Sequence, residues 1–252
     1  MNKYFVFNKT VQGHLHIMKN RPCEDSSVSY VAKDNQYFIA IVADGHGSNS
    51  CFRSQSGSTI ATMVTLEALK KFADYHLMKD ENGFYTETDE FVKILKSERS
   101  KKHLIKQLTD SIVSDWYQVI TDDISNHPLT DDEINSAESD YADLYRRGLK
   151  LNHIYGTTLI AVLVMQNYVI LLQQGDGRCD VFYSDSTVNQ PIPWDERCFD
   201  VYTTSMCDDD VDTSMRSTII DIREKPVVAC YIGSDGVEDS FRTMDGTHNF
   251  YM

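Results

Sequence analysis

Acidic side chains stand where several predicted strands begin or end. Three such sites are Glu24-Asp25, Asp44-Gly45 and Asp235-Gly236, and a fourth, Asp176-Gly177, lies in a turn between two strands. A single Asp-Gly pair after a strand most often marks only a turn. Neighbouring strands bring their ends together, however, and converging carboxylates repel one another unless a cation binds between them. Hard oxygen ligands favour Mg²⁺ or Mn²⁺, and two such ions can bind a phosphoryl group together.

The glycines that follow these aspartates add to the metal-site prediction. Gly45 and Gly236 carry no side chain, so the backbone can approach an ion closely. The carbonyl oxygen of Gly45 is itself a candidate ligand, because backbone carbonyls bind hard cations.

The pattern of apolar residues predicts the elements that position these groups. The run 37–43 is typical of a strand buried on both faces and ends at Asp44. Helical periodicity predicts helices over 57–73 and 102–125, with a third from a capping box at Thr130 to about Arg147. The region 79–101 is expected to be irregular. The chain is predicted to form a hairpin from residues 157–165 and 168–174. A second strand pair is predicted from residues 217–223 and 226–233. This order predicts an α+β sandwich.

Composition limits the possible functions. The 252 residues include 24 basic and 38 acidic side chains, a net charge of −14 that disfavours nucleic acid as a partner. No apolar run is long enough to span a membrane, and the apolar stretch at the N-terminus is too short for a signal peptide. The six cysteines form no CxxC pair, and because no signal peptide is predicted we expect reduced thiols in a cytoplasmic protein. We also expect the protein to be a monomer.

Five ordered motifs together resemble the metal-dependent PPM/PP2C-type serine/threonine protein phosphatases. They are Glu24-Asp25-Ser26, Val42-Ala43-Asp44-Gly45-His46-Gly47, Gly156-Thr157-Thr158, Gly175-Asp176-Gly177-Arg178 and Gly233-Ser234-Asp235-Gly236-Val237. Gly13 and His16, followed by Arg21-Pro22-Cys23, are similar to the divergent bacterial branch of that family. The resemblance spans residues 13 to about 241 and implies a four-layer α-β-β-α sandwich with two mainly antiparallel sheets in a single domain.

The resemblance also implies roles for individual residues. Asp44 would bridge two Mn²⁺ or Mg²⁺ ions, with Glu24 and the Gly45 carbonyl on one ion and Asp235 on the other. Asp25 would orient a metal-bound water that attacks phosphorus, and His46 would protonate the leaving alkoxide as a general acid. Asp176 matches the position of a third, weaker metal site. The implied substrate is a phosphorylated protein.

Two departures from the family pattern affect these expectations. The family's phosphate-binding arginine stands four residues before the glutamate, whereas Arg21 stands three before Glu24; Arg21 still reaches the phosphate, or His16 substitutes for it. The family also ends with a further helix and strand that carry another aspartate ligand. Asp239 and Asp245 do not occupy that context, so we expect a domain cut short at its C-terminus, with one metal poorly held.

Other readings of the same residues stay open. His14 and His16 alternate on a predicted strand, where at least one faces solvent, and Arg53 is expected to be an exposed arginine at a helix entry. The loop 205–216 is a candidate flap beside the cleft. Two alternative functions remain: a catalytically weak regulatory domain that keeps the fold, and a phosphohydrolase of small phosphorylated metabolites.

Overall fold

A computed structural model describes residues 4–199, 202–238, 240–241 and 243–251 of the chain. The helices of these residues are α1 His14–Met18, α2 Ser54–His76, α3 Asp89–Leu95, α4 Glu98–Asn126, α5 Asp131–Ser136, α6 Ser139–Arg146, α7 Val211–Ser214, α8 Asp235–Glu238 and α9 Met244–Tyr251. The strands are β1 Ser26–Val31, β2 Phe38–Ala43, β3 Leu77–Lys79, β4 Tyr85–Glu87, β5 Leu159–Val164, β6 Tyr168–Gln174, β7 Arg178–Tyr183, β8 Val188–Asn189, β9 Arg216–Asp221 and β10 Val227–Gly233.

The larger sheet has the antiparallel order β1-β2-β5-β6-β9. Successive side chains of a strand point to opposite faces, and β5 shows both faces buried. Leu159, Ala161 and Leu163 belong to the core shared with the helices, whereas Ile160 and Val162 belong to the core shared with the smaller sheet. Burial on both faces explains the nearly continuous apolar runs of the central strands.

The smaller sheet has the antiparallel order β10-β7-β8. Its inner face contributes Cys179, Val181 and Tyr183 to the core between the sheets. On its outer face Tyr231 stacks on Tyr251 of α9, with ring centroids 4.5 Å apart. Helices α2 and α4 cover the larger sheet and α9 lies on the smaller one, so the predicted four-layer α-β-β-α sandwich is confirmed.

Helix α2 packs tightly at its N-terminal end, where the candidate site lies. Gly57 leaves no room for a side chain, because a Cβ there would overlap the Tyr155 carbonyl oxygen. The indole Nε1 of Trp116 in α4 donates to the Gly57 carbonyl oxygen at 3.1 Å. The predicted helices 57–73 and 102–125 are both confirmed and extend by a few residues at each end. None of the helices in the described residues combines the length and apolar character that a membrane crossing requires.

The predicted pairing of 217–223 with 226–233 is wrong. Strand β9 pairs with β6 in the larger sheet, and β10 pairs with β7 in the smaller one. The chain therefore crosses between the two sheets here, and Arg223 fixes the crossing by donating from Nη2 to the Tyr168 hydroxyl at 2.6 Å. The hairpin of β5 and β6 is confirmed.

Two expectations about the region between α2 and β5 are also wrong. The helix predicted from Thr130 to Arg147 is divided, because Ala137 is extended and the Glu138 N–H donates to Ser50 Oγ at 3.3 Å instead of continuing the helix. The capping box at Thr130 is present. Residues 79–101, expected to be irregular, form the β3–β4 hairpin and α3. Asp239 and the side chain of Asp245 lie outside the described residues.

Candidate active site

Three aspartates from three strand ends meet in one cluster. Asp25 immediately precedes β1 and Asp44 immediately follows β2, and the pairing of Ser26 with Ala43 makes the two aspartates neighbours. Asp235 begins α8 and is separated from the end of β10 by one residue, Ser234. The carboxyl group of Asp44 is hydrogen-bonded with those of Asp25 and Asp235. The two sheets thus bring together residues that lie more than two hundred positions apart in the chain, Asp25 and Asp235.

Burial and like charges make Asp44 a weak acid. Burial, followed by the negative charges of Asp25 and Asp235, raises the pKa of Asp44 to about 9. Burial also raises the pKa of Asp25, although its hydrogen bond with Asp44 opposes that change. At neutral pH the cluster therefore keeps a proton. A divalent cation would take the place of that proton, because it relieves the same repulsion.

Glu24 presents one held and one unpaired carboxyl oxygen next to this cluster. Ser54 Oγ donates to Glu24 Oε1 at 3.3 Å, whereas Oε2 is buried and has no hydrogen-bond partner among the described residues. Burial raises the pKa of Glu24, and the Ser54 hydrogen bond opposes that change. A buried oxygen left unpaired costs about 1–3 kcal/mol, so this oxygen suits a missing ligand.

The Gly156-Thr157-Thr158 motif holds the backbone of the loop that follows β2. The Thr158 N–H donates to the Asp44 carbonyl oxygen at 2.8 Å. In return, the Asp44 N–H donates to the Thr158 side-chain Oγ1 at 3.0 Å. Gly45 N–H donates to the Glu24 carbonyl oxygen at 3.2 Å, and a Cβ on Gly45 would press on that oxygen. The glycine therefore permits the close approach of two strand ends.

His46 follows Asp44 by two positions, and its ring packs against Gly156 and contacts the loop before α7. Its Nε2 is 2.7 Å from the hydroxyl of Ser205, a buried residue of the loop before α7. Burial, with a smaller effect of the nearby His153, lowers the pKa of His46 to about 4. The ring is therefore neutral at pH 7 in this state. Sequence reasoning missed Ser205, since nothing in the chain between the motifs marks its position.

Arg21 and His16 lie within electrostatic reach of Glu24. Both side chains act to lower the pKa of Glu24, and the Arg21 N–H donates to the His16 carbonyl oxygen at 2.9 Å. The expectation that His14 and His16 alternate on a strand is wrong, because both belong to helix α1. The helix and the turn after it bring both His16 and Arg21 near Glu24.

Asp176 lies in the turn between β6 and β7, near the cluster but not in it. Gly177 packs against the Gly233 carbonyl oxygen, so this turn adjoins the strand end that carries Asp235. Among the described contacts, the charge of Asp176 acts on Arg216, whose Nη2 donates to the Gly175 carbonyl oxygen. The structure thus places Asp176 at the same edge of the sheets without a contact to Asp44.

The donor set fits a divalent ion in its chemistry. Carboxylate oxygens are the ligands that Mg²⁺ and Mn²⁺ prefer, and Glu24 Oε2 is buried without a partner. Within the described part of the chain, no group of three or more His, Cys, Asp or Glu side chains is already arranged to hold a metal ion. The aspartates bond to one another instead, so an ion would have to replace those hydrogen bonds.

Comparison with known proteins identifies the family. A sequence profile of the protein phosphatase 2C family matches residues 12–251. A bacterial serine phosphatase variant has a similar structure, with 14% sequence identity and a TM-score of 0.53. The match covers 92% of this chain and 79% of the phosphatase chain. Another bacterial serine phosphatase structure is 14% identical in sequence and has a TM-score of 0.50. The match covers 91% of this chain and 84% of the phosphatase chain.

A third solved structure is the catalytic domain of the serine/threonine phosphatase PstP in complex with two manganese ions. Its sequence is 14% identical to this chain, and the TM-score is 0.45. The match covers 92% of this chain and 79% of the PstP chain. No match is found among curated protein sequences. Because the family profile spans nearly the whole sequence, the chain belongs to the protein phosphatase 2C family, whose members use divalent metal ions.

Proposed function

We propose that this chain is a Mn²⁺- or Mg²⁺-dependent phosphatase that hydrolyses phosphoserine and phosphothreonine in proteins. The convergence of Asp25, Asp44 and Asp235 is the observation that carries the proposal. Carboxyl groups in contact destabilise one another, and such an arrangement is retained at sites that bind cations or perform catalysis. Membership of the family supports the reaction class.

The proposed ligands divide between two ions. Asp44, Glu24, the Gly45 carbonyl and Asp235 would hold the two ions, and Asp176 would contribute to a weaker third site. When bound, such ions neutralise the carboxylates, lower the pKa of water and draw charge from phosphoryl oxygens. The unpaired Glu24 Oε2 and the proton-sharing aspartates support this assignment.

The remaining site residues act on the substrate and on water. Asp25 accepts a hydrogen bond from the attacking water and so orients it. Arg21, whose charge already reaches Glu24, binds the phosphate, with His16 beside it. His46 donates a proton to the departing serine or threonine oxygen, because an alkoxide leaves poorly without one. Its contact with Ser205 fixes the ring during that transfer.

The proposed partner is a phosphorylated protein. The net charge of −14 supports a protein substrate over a nucleic acid, since the phosphates of a nucleic acid would be repelled. A monomeric, cytoplasmic form without membrane association stays a prediction from sequence.

The test is hydrolysis of p-nitrophenyl phosphate and of a phosphothreonine peptide, with Mn²⁺ and with a chelator. We expect turnover only with metal, and we expect Asp44→Asn to reduce it by at least about 100-fold, as loss of a central electrostatic group does. Asp143→Asn, whose side chain is 78% exposed on α6, is the matched control and should behave as wild type.

Three outcomes would contradict the proposal. Turnover that persists in chelator would exclude a metal centre. Mn²⁺ binding without turnover would favour the regulatory domain. A strong preference for a small phosphorylated metabolite over the peptide would favour the metabolite phosphohydrolase.

A further inference from the structure

The two carboxyl oxygens of Glu24 have different surroundings, and Ser54 makes the difference. Ser54 is fully buried at the start of α2, and its Oγ donates to Glu24 Oε1 at 3.3 Å. Glu24 Oε2 is buried without a hydrogen-bond partner among the described residues. One oxygen is therefore occupied by a fixed donor while the other remains available to a ligand.

The Ser54 hydroxyl is itself oriented by the loop after β2. It accepts a hydrogen bond from the Gly47 backbone N–H at 3.3 Å. A serine hydroxyl has one proton to donate, and with Gly47 N–H on its acceptor side that proton is directed to the carboxylate. Ser54 thus links the side chain of Glu24 to the same loop that carries Asp44 and Gly45.

Hydrogen bonds fix the backbone at Glu24, so only the Glu24 side chain can still rotate. The Glu24 carbonyl oxygen accepts from Ser58 Oγ at 2.5 Å and from the Gly45 N–H at 3.2 Å. Gly47 has φ +60, and a Cβ there would overlap Glu24 Oε2, so the glycine keeps the space around that oxygen open. The remaining side-chain rotations of Glu24 are restricted by Ser54.

We propose that Ser54 is a positioning residue for metal binding: it holds Glu24 through Oε1 so that Oε2 is presented to the ion. This inference rests on the proposed function, because it requires a divalent ion at Glu24. Loss of a hydrogen bond that orients a metal ligand typically lowers metal affinity about 10–100-fold.

Calorimetric titration with Mn²⁺ alone tests the inference without using turnover. We expect Ser54→Ala to bind Mn²⁺ at least about tenfold more weakly than wild type. Thr62→Val is the matched control, because Thr62 is buried two turns further along α2 and its hydroxyl contacts Ser26 Oγ at 2.9 Å. Ser54→Cys keeps the side-chain shape, with a larger atom that is a much weaker donor, and it replaces the alanine variant if that variant fails to fold.

A double-mutant cycle with Glu24→Gln separates positioning from general packing. If Ser54 acts through Glu24, then Ser54→Ala should cost no further Mn²⁺ affinity in the Glu24→Gln protein. An additive loss, or affinity of Ser54→Ala within about twofold of wild type, would overturn the inference. Absence of Mn²⁺ binding by the wild-type protein would instead overturn the proposed function, and this inference with it.

Discussion

His46 combines a position two residues after Asp44 with a ring that is neutral at pH 7. Burial lowers its pKa to about 4, and the hydroxyl of Ser205 occupies Nε2 at 2.7 Å. A neutral imidazole still carries one proton, but it is a far weaker donor than the charged form. A general-acid role therefore requires that the ring take up a proton from solvent before it gives one to the leaving oxygen. The alternative is that His46 only shapes the loop.

Leaving groups of different basicity distinguish these roles. We expect His46→Ala to slow hydrolysis of a phosphothreonine peptide about 100-fold, since general acid catalysis contributes 10²–10⁴. The loss for p-nitrophenyl phosphate should be much smaller, because an aryl oxide leaves without protonation. The measurement compares kcat for both substrates in both proteins. Equal losses for the two substrates would reject the acid role.

At the scale of elements, Arg53 joins the start of α2 to α5. Its guanidinium donates from Nε to Glu133 Oε1 at 2.9 Å and from Nη2 to Oε2 at 3.1 Å, and from Nη1 to the Tyr155 hydroxyl at 2.9 Å. The expectation of an exposed arginine is wrong, since its side chain is only 13% exposed. A two-point contact with a carboxylate is among the stronger ion pairs in proteins, so we expect it to stabilise the helix end next to Ser54.

This ion pair predicts a pH-dependent stability. The hydrogen bond from Arg53 lowers the pKa of Glu133 to about 2, below its ordinary value. Its contribution is therefore complete above about pH 4.5 and is lost as the pH falls toward 2. We expect Glu133→Gln to lower the free energy of unfolding by about 1–2 kcal/mol at pH 7, allowing for screening of a partly exposed carboxylate.

Urea unfolding at pH 7, 4 and 3 measures this dependence. The difference in unfolding free energy between wild type and Glu133→Gln should shrink as the pH is lowered. Asp143→Asn removes an exposed carboxylate paired with Arg146 and should change stability little at any of these pH values. A difference for Glu133→Gln that stays constant across the range would contradict the assigned ion pair.

The sequence predicted those elements whose signals are local. The periodicity of α2 and α4 and the capping box at Thr130 depend on residues within a few turns, and all were confirmed. The break at Ala137 depends on Ser50, and the separation of β9 from β10 depends on which sheet already holds β6 and β7. Contacts between distant parts of the chain decided both, so no local pattern revealed them.

At the scale of the whole molecule, the sandwich brings distant strand ends to one edge. The sequence predicted the convergence of Asp25, Asp44 and Asp235 because each follows or precedes an apolar run. It did not predict Ser54 or Ser205, because a serine in a helix or loop has no pattern that marks its partner. Their roles became visible only once α2 and the loop before α7 were placed against Glu24 and His46.

The central claim is that Glu24, Asp44 and Asp235 hold divalent ions at this edge. Anomalous X-ray scattering from crystals soaked in Mn²⁺ tests it most directly, because it locates manganese without reference to activity. We predict manganese peaks in contact with Asp44, one also in contact with Glu24 and another with Asp235, and their loss in Asp44→Asn crystals. Manganese bound elsewhere, or no peak beside these carboxylates, would contradict the account.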